Sequence, residues 1–164
     1  MDTFWILGRK MMKATAAVVI VLVLSAMRAV SEQHTESTSE DFRVLMVAVS
    51  SAWNQGSASS AVSCFTDDAV YMEPPDRQVY IGRKALIDFF GGTKRQEKPM
   101  QMLWHHLAFD TATQVGFGEY TFAQNHRYHG IVIVKLQDGK IKSWREYQYQ
   151  SNLEWRDFTG KGSF

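Results

Sequence analysis

Residues 127–150 read RYHGIVIVKLQDGKIKSWREYQYQ. Two runs rich in β-branched and aromatic residues flank Asp138-Gly139, a dipeptide that suits the left-handed positions of a two-residue hairpin turn. The turn pairs Gln137 with Lys140. Counting back, Ile133 then faces Trp144, Ile131 faces Glu146, and His129 faces Gln148. Directly paired strand residues share a face of the sheet.

Working towards the N-terminus, residues 115–123 and 100–109 are also β-rich. A three-residue turn at Gln124-Asn125-His126 pairs Glu119 with Ile131 and Thr121 with His129. A turn over Asp110–Thr113 pairs Phe109 with Gln114, Trp104 with Glu119 and His106 with Phe117. One face then collects Trp104, His106, Phe117, Glu119, Thr121, His129, Ile131, Ile133, Trp144, Glu146 and Gln148. The other collects Tyr120, Phe122, Tyr128, Val132, Val134, Leu136, Ile141, Arg145, Tyr147 and Tyr149. A one-residue slip in either of the two longer turns flips a face.

The first half of the chain reads as helices. Ser39 is the expected N-cap of a helix with Glu40 and Asp41 in its first turn. Phe42, Leu45, Met46, Val49 and Trp53 recur at helical spacing, and Gly56 ends the run. Shorter helices are expected over 57–65 and 83–90, with Asp67-Asp68 as a turn and 69–72 as a strand. Pro74-Pro75 breaks regular structure before an extended piece at 79–81. The tail from Asn152 carries Leu153, Trp155 and Phe158 and is expected to pack back. Helices first and a long meander afterwards give an α+β fold, with about three N-terminal helices on a curved, mainly antiparallel sheet.

Arg9, Lys10 and Lys13 precede an apolar run over 14–24, and Ala29 and Ser31 suit a cleavage before Glu32. This pattern predicts a signal peptide over 1–31, a flexible tether over 32–39 and one domain over 40–164. The expected location is secreted or periplasmic; an uncleaved signal anchor is the alternative. Residues 32–164 hold 14 basic and 16 acidic residues. That balance excludes a phosphate-backbone footprint, so no nucleic acid is expected, and no membrane once the signal is cleaved. Cys64 is the only cysteine, so no internal disulfide exists. It reads as a small buried apolar residue.

Glu119 and Glu146 are expected on one face, about 10 Å apart across the Ile131 strand. Carboxyl groups in apolar surroundings have raised pKa values, and two such groups supply a general acid and a general base near neutral pH. Trp53, Trp104, Trp144 and Ile131 would wall the site, with His106 and Gln148 on the same floor. Tyr71 or His129 would polarise an oxygen, and Glu73 would close the mouth. Solvent-facing glutamates paired with basic side chains are the bland reading. His105 and His106 are adjacent on a strand and point to opposite faces, so no metal is expected; the proton-transfer chemistry implies no cofactor. The apolar, aromatic second face predicts a homodimer interface.

Thr66-Asp67-Asp68-Ala69-Val70-Tyr71, Gly82 through Phe90, and Asp138-Gly139-Lys140-Ile141 followed by Trp144-Arg145-Glu146-Tyr147 occur in an order that resembles the SnoaL-like branch of the nuclear transport factor 2-like superfamily. The resemblance covers about residues 40–150. It implies a cone-shaped α+β barrel, often dimeric, in a family that includes cyclases, dehydratases, ketosteroid isomerases, epoxide hydrolases and binding modules. Limonene-epoxide-hydrolase-like members have a Trp-Arg-Asp-Tyr phrase whose acid helps activate water; Glu146 stands at that acid, and Glu119 matches a second. Phe117 stands where those members have an arginine, and Glu73 where they have an asparagine. The resemblance implies a pocket for a small apolar molecule, with Glu146 as base and Glu119 as acid or orienting partner in isomerisation, dehydration, cyclisation or water addition. A non-catalytic ligand-binding or dimerising module of the same fold is the alternative.

Overall fold

Thr38, not Ser39, starts the first helix. Its hydroxyl accepts from the Asp41 backbone N–H, and the Asp41 carboxylate accepts from the Thr38 N–H. This reciprocal capping box satisfies two donors that a helix start leaves open. A computed structural model describes residues 36–75, 78–92 and 100–162. The expected leader lies outside the described residues, as does the first half of the tether, residues 32–35. The end of the tether is pinned, because Ser37 exchanges two backbone hydrogen bonds with the Gln114 side chain.

In chain order the elements are α1 (Ser39–Asn54), α2 (Ala58–Ser63), β1 (Phe65–Glu73), β2 (Gln78–Ile81) and α3 (Gly82–Phe89). They continue with β3 (Gln101–Asp110), β4 (Val115–Ala123), β5 (Arg127–Gln137), β6 (Lys140–Gln150) and α4 (Trp155–Thr159). The six strands form one sheet in the order β2-β1-β6-β5-β4-β3. The β1–β6 pair is parallel and the other pairs are antiparallel. The sheet is therefore mixed and open, with β2 and β3 as its edges, and the closed barrel expectation is corrected. There are four helices among the described residues rather than three, the fourth being the short C-terminal α4.

The stripe Phe42, Met46, Val49 and Trp53 of α1 is buried on one face of the sheet. A helix of this length is marginal in water; burying each such side chain contributes about 1.5–3 kcal/mol. Asn54 fixes the end of α1 to the edge strand β3, donating to the Met102 carbonyl and accepting from the Met102 N–H. Opposite the stripe lie Val132, Val134, Leu136, Ile141 and Trp144. Gly116 leaves room for the Phe42 ring, which a Cβ there would meet at 2.4 Å.

Two bulges decide which side chains face this core. Asp138 and Gly139 adopt left-handed φ values of 52° and 72°, and Gln137 pairs with Lys140 as expected. Lys142 is then an extra residue: Leu136 pairs with Ile141, but Lys135 pairs with Ser143. Trp144 is thereby opposite Val134 and Glu146 opposite Val132, which corrects the expected pairing with Ile133 and Ile131. Strand β1 is irregular at the same level, between Phe65 and Val70, and Asp68 forms an ion pair with Lys142. The expected Asp67-Asp68 turn is thus an irregularity inside a longer strand. A second bulge at His105 leaves Trp104 opposite Tyr120 and His106 opposite Glu119. A bulge bends its strand and re-aims the side chains beyond it.

Candidate active site

Glu146 is carried by the bulge into the apolar side of the sheet. It is 6% exposed. One carboxyl oxygen accepts from the Tyr71 hydroxyl at 2.6 Å, and the other accepts from the Trp144 indole N–H at 2.9 Å. The two donors are themselves fixed by packing. The Tyr71 and Trp144 rings stack at 5.7 Å with planes 9° apart, and Trp53 meets Trp144 edge-on at 5.4 Å. Parallel pairing of β1 with β6 places Tyr71 directly beside Trp144.

Burial opposes ionisation of Glu146. The Tyr71 and Trp144 hydrogen bonds favour the carboxylate, while the charge of Glu73 disfavours it. Burial wins: the group is pushed up from the ordinary 4.5 to about 8. At pH 7 roughly one molecule in ten is ionised. The carboxyl therefore populates both forms near neutrality, which suits a general acid or base. Burial and the same carboxyl push the Tyr71 and Tyr120 phenols up, so both remain hydrogen-bond donors.

A cavity of about 220 Å³ opens onto Glu146. Its buried lining includes Trp53, Tyr71, Phe90, Met102 and Tyr120; Phe89, Phe122 and Met100 extend the apolar wall. The polar side chains Glu73, Gln78, Gln124 and Gln148 are more exposed and form the mouth. Gln148 donates to Glu73 at 3.5 Å. Gly130 shapes the floor. A Cβ there would come within 2.7 Å of the Tyr120 hydroxyl and 2.6 Å of the Tyr147 carbonyl.

The structure brings Glu146, Tyr71, Trp53, Glu73 and Gln148 together around this cavity. Trp144 lies behind the carboxyl as its donor rather than in the lining, and Trp104 is on the same side of the sheet, donating to the Met46 carbonyl. Glu119, His106, His129 and Ile131 are not part of it. Glu119 still pairs with Ile131 as expected, but on the opposite face, where its carboxylate and the His106 Nδ1 are 2.6 Å apart. The expected acid pair on one face is therefore corrected, and the cause is the Lys142 bulge. His129 is 1% exposed beneath α4. Its Nδ1 is 2.9 Å from the Thr121 hydroxyl, and its Nε2–H donates to the Leu153 carbonyl. Thr121 in turn is 2.7 Å from His105 Nε2, and the His105 ring stacks on Trp155 at 4.1 Å. These histidines hold the C-terminal segment to the sheet. Among the described residues no group of acidic, histidine or cysteine side chains has the arrangement of a metal site. Cys64 is half-buried at the end of α2 rather than in the core.

Tyr120, Phe122, Met102 and the α3 aromatics escaped the sequence reading of the site. Their signal was present: Tyr120-x-Phe122 alternates in phase with Val132-x-Val134-x-Leu136, a stripe more apolar than the one assigned to the pocket.

Comparison with known proteins fits this architecture. The profile of the SnoaL-like domain matches residues 46–144. The chain belongs to the SnoaL-like domain family. No curated protein shows significant similarity to it. Solved structures with the same fold include a candidate ketosteroid isomerase from Kribbella flavida DSM 17836, at TM-score 0.58 and 16% identity, over 73% of this chain and 87% of that one. An LEH-like epoxide hydrolase of M. tuberculosis matches at TM-score 0.58 and 18% identity, over 68% and 84%. SalBIII, an epoxide hydrolase/cyclase-like enzyme of pyran ring formation in salinomycin, matches at TM-score 0.59 and 18% identity, over 67% and 92%. For this SnoaL-like domain these likenesses concern the fold, since identity is low throughout.

Proposed function

We propose that this SnoaL-like domain binds a small, largely apolar molecule and moves a proton on it without a cofactor, with Glu146 as the acid–base group. The observation that carries this reading is the carboxyl itself. It is buried, ends in an aromatic cavity, holds a pKa of about 8, and has fixed hydrogen-bond partners on both oxygens. A structural glutamate gains nothing from such a place, because burying an ionisable group costs stability. The names of the structural relatives, an isomerase, an epoxide hydrolase and a cyclase-like enzyme, support acid–base chemistry on such molecules. A single carboxyl serves: ionised Glu146 takes a proton from carbon beside an electron-withdrawing group, and protonated Glu146 returns it.

The test is hydrogen–deuterium exchange at carbon. Small cyclic ketones and enones are incubated with the protein in D2O and followed by NMR. Faster α-exchange with wild type than with Glu146→Gln supports the reading; equal rates contradict it. One observation favours a second reading, a binding module without turnover: both Glu146 oxygens already accept a hydrogen bond. That reading predicts ligand binding by both proteins and catalysed exchange by neither.

Two further properties belong to the proposal. The basic-then-apolar segment over 1–31 supports export, which fractionation of cells expressing the full chain tests. The face expected to form a homodimer interface is instead the helix-covered core, with Tyr120, Val132, Val134, Leu136 and Ile141 buried in it; Phe117, Ile131 and Tyr147, exposed together on the sheet face away from the cavity, support a homodimer on that face. Sedimentation equilibrium distinguishes one copy from two.

A further inference from the structure

Two buried donors in the cavity lining lack a well-formed hydrogen bond among the described residues: the Trp53 indole N–H, and the Tyr120 hydroxyl, which lies near the Glu146 carboxyl without a bond of good geometry to it. Tyr120 is 1% exposed and Trp53 is 5% exposed, so water does not serve them freely. Buried donors in native proteins are nearly always paired, and an exception asks for an explanation. The Tyr120 hydroxyl cannot retreat into the sheet, because it already sits over Gly130, where even a Cβ would approach it to 2.7 Å.

We infer that the ligand of this cavity is a neutral, compact molecule whose acceptor oxygen is taken by the Tyr120 hydroxyl and the Trp53 N–H. This rests on the proposed function for the site and names its substrate class. A carbonyl oxygen has two lone pairs, one for each donor. A cation would leave both donors unpaired and would turn to a Glu146 carboxyl whose oxygens already accept from Tyr71 and Trp144. An anion would lie beside the Glu73 carboxylate at the mouth of an apolar enclosure, where like charges repel strongly. Neutral oxygen is the chemistry that answers the donors and offends neither carboxyl.

The volume sets the size. An apolar protein cavity of about 150 Å³ takes benzene, with six ring atoms. A cavity of about 220 Å³ therefore takes about nine non-hydrogen atoms at the same packing. This is a single ring or small bicycle, and a four-ring skeleton is too large for full burial. Groups beyond that size must project past the mouth, where Glu73 and the glutamines offer hydrogen bonds.

Four probes test this, with binding read by titration calorimetry and ligand-observed NMR. Cyclooctanone and methylenecyclooctane have the same size and shape and differ in oxygen against CH2. Cyclooctylammonium matches them in size and carries a charge, and androstenedione has four rings. Cyclooctanone is expected to bind tightest, with methylenecyclooctane about five- to tenfold weaker, the worth of one or two neutral hydrogen bonds. Tyr120→Phe and Trp53→Phe are each expected to shrink that ratio, which is read within each variant. Equal affinity for the ketone and the hydrocarbon in wild type overturns the inference, as does tightest binding of the ammonium or the steroid, or no binding of the ketone at millimolar concentration. Binding is read separately from exchange. Ketone preference with no Glu146-dependent exchange leaves the inference standing and removes the proton-transfer reading; exchange without ketone preference does the reverse.

Discussion

Glu146 and Glu119 are the same residue type on strands β6 and β4 of one sheet, and they have opposite surroundings. Glu146 points to the helix-covered side, between Tyr71 and Trp144, at the end of an aromatic cavity. Glu119 points to the other side, half-buried against His106. The face a strand carboxyl occupies, and not its presence in the strand, decides whether it is a titrating group in a cavity or one half of a surface pair. Here one extra residue, Lys142, sets that face for Glu146.

The comparison breaks most directly under substitution. Glu146→Gln keeps the shape but cannot take a proton, and only one of its two polar atoms still accepts a hydrogen bond. Catalysed exchange should fall by about 10²–10⁴-fold, whereas Glu119→Gln should stay within about twofold. A comparable loss in both would return the two carboxyls to one site.

Stability against pH sharpens the same contrast. Folded Glu146 holds its proton up to about 8, while an ordinary glutamate releases it near 4.5. Below 4.5 both folded and unfolded chains hold the proton. Between 4.5 and 8 the unfolded chain releases it first, so stability falls with rising pH, by at most about 1.4 kcal/mol per pH unit. Urea denaturation across this range should show wild type losing ground against Glu146→Gln, with the loss complete above about 8. A flat difference contradicts the burial argument.

Gly130→Ala tests the floor without touching a carboxyl. Its Cβ must displace the Tyr120 ring or the Tyr147 carbonyl, at a cost of about 1–3 kcal/mol. A thermal melt unchanged from wild type would show that the Tyr120 hydroxyl is not held there. On the opposite face, His129→Ala strands the Leu153 carbonyl and leaves Thr121 with His105 alone, and should cost about 1–3 kcal/mol. His106→Ala, which breaks only a half-exposed pair, should cost under about 1 kcal/mol. Urea denaturation of both variants measures that ranking.

Much of the fold was legible because it is written in periodicity. The α1 stripe, the Asp138-Gly139 turn and the four long strands follow from local patterns. The site was half legible. Trp53, Tyr71, Glu73, Glu146 and Gln148 were named, but Glu119, His106, His129 and Ile131 were grouped with them. The cause is physical. A tight turn fixes register at its own end of a hairpin, and a bulge can undo it a few residues later without any local signature. The Lys142 bulge answers to β1, a strand some seventy residues earlier, through the Asp68 ion pair and the irregular stretch between Phe65 and Val70. No reading of residues 127–150 alone contains that information. The apolar stripe Tyr120, Phe122, Val132, Val134 and Leu136 does contain a warning, since a stripe so apolar belongs against helices.

The most direct test of the central claim is the titration of the Glu146 carboxyl carbon, followed by NMR in protein labelled at glutamate and assigned by comparison with Glu146→Gln. The account predicts a midpoint near 8. A midpoint near the ordinary 4.5 would place Glu146 in water or in a stable ion pair and contradict its role as the acid–base group of the cavity.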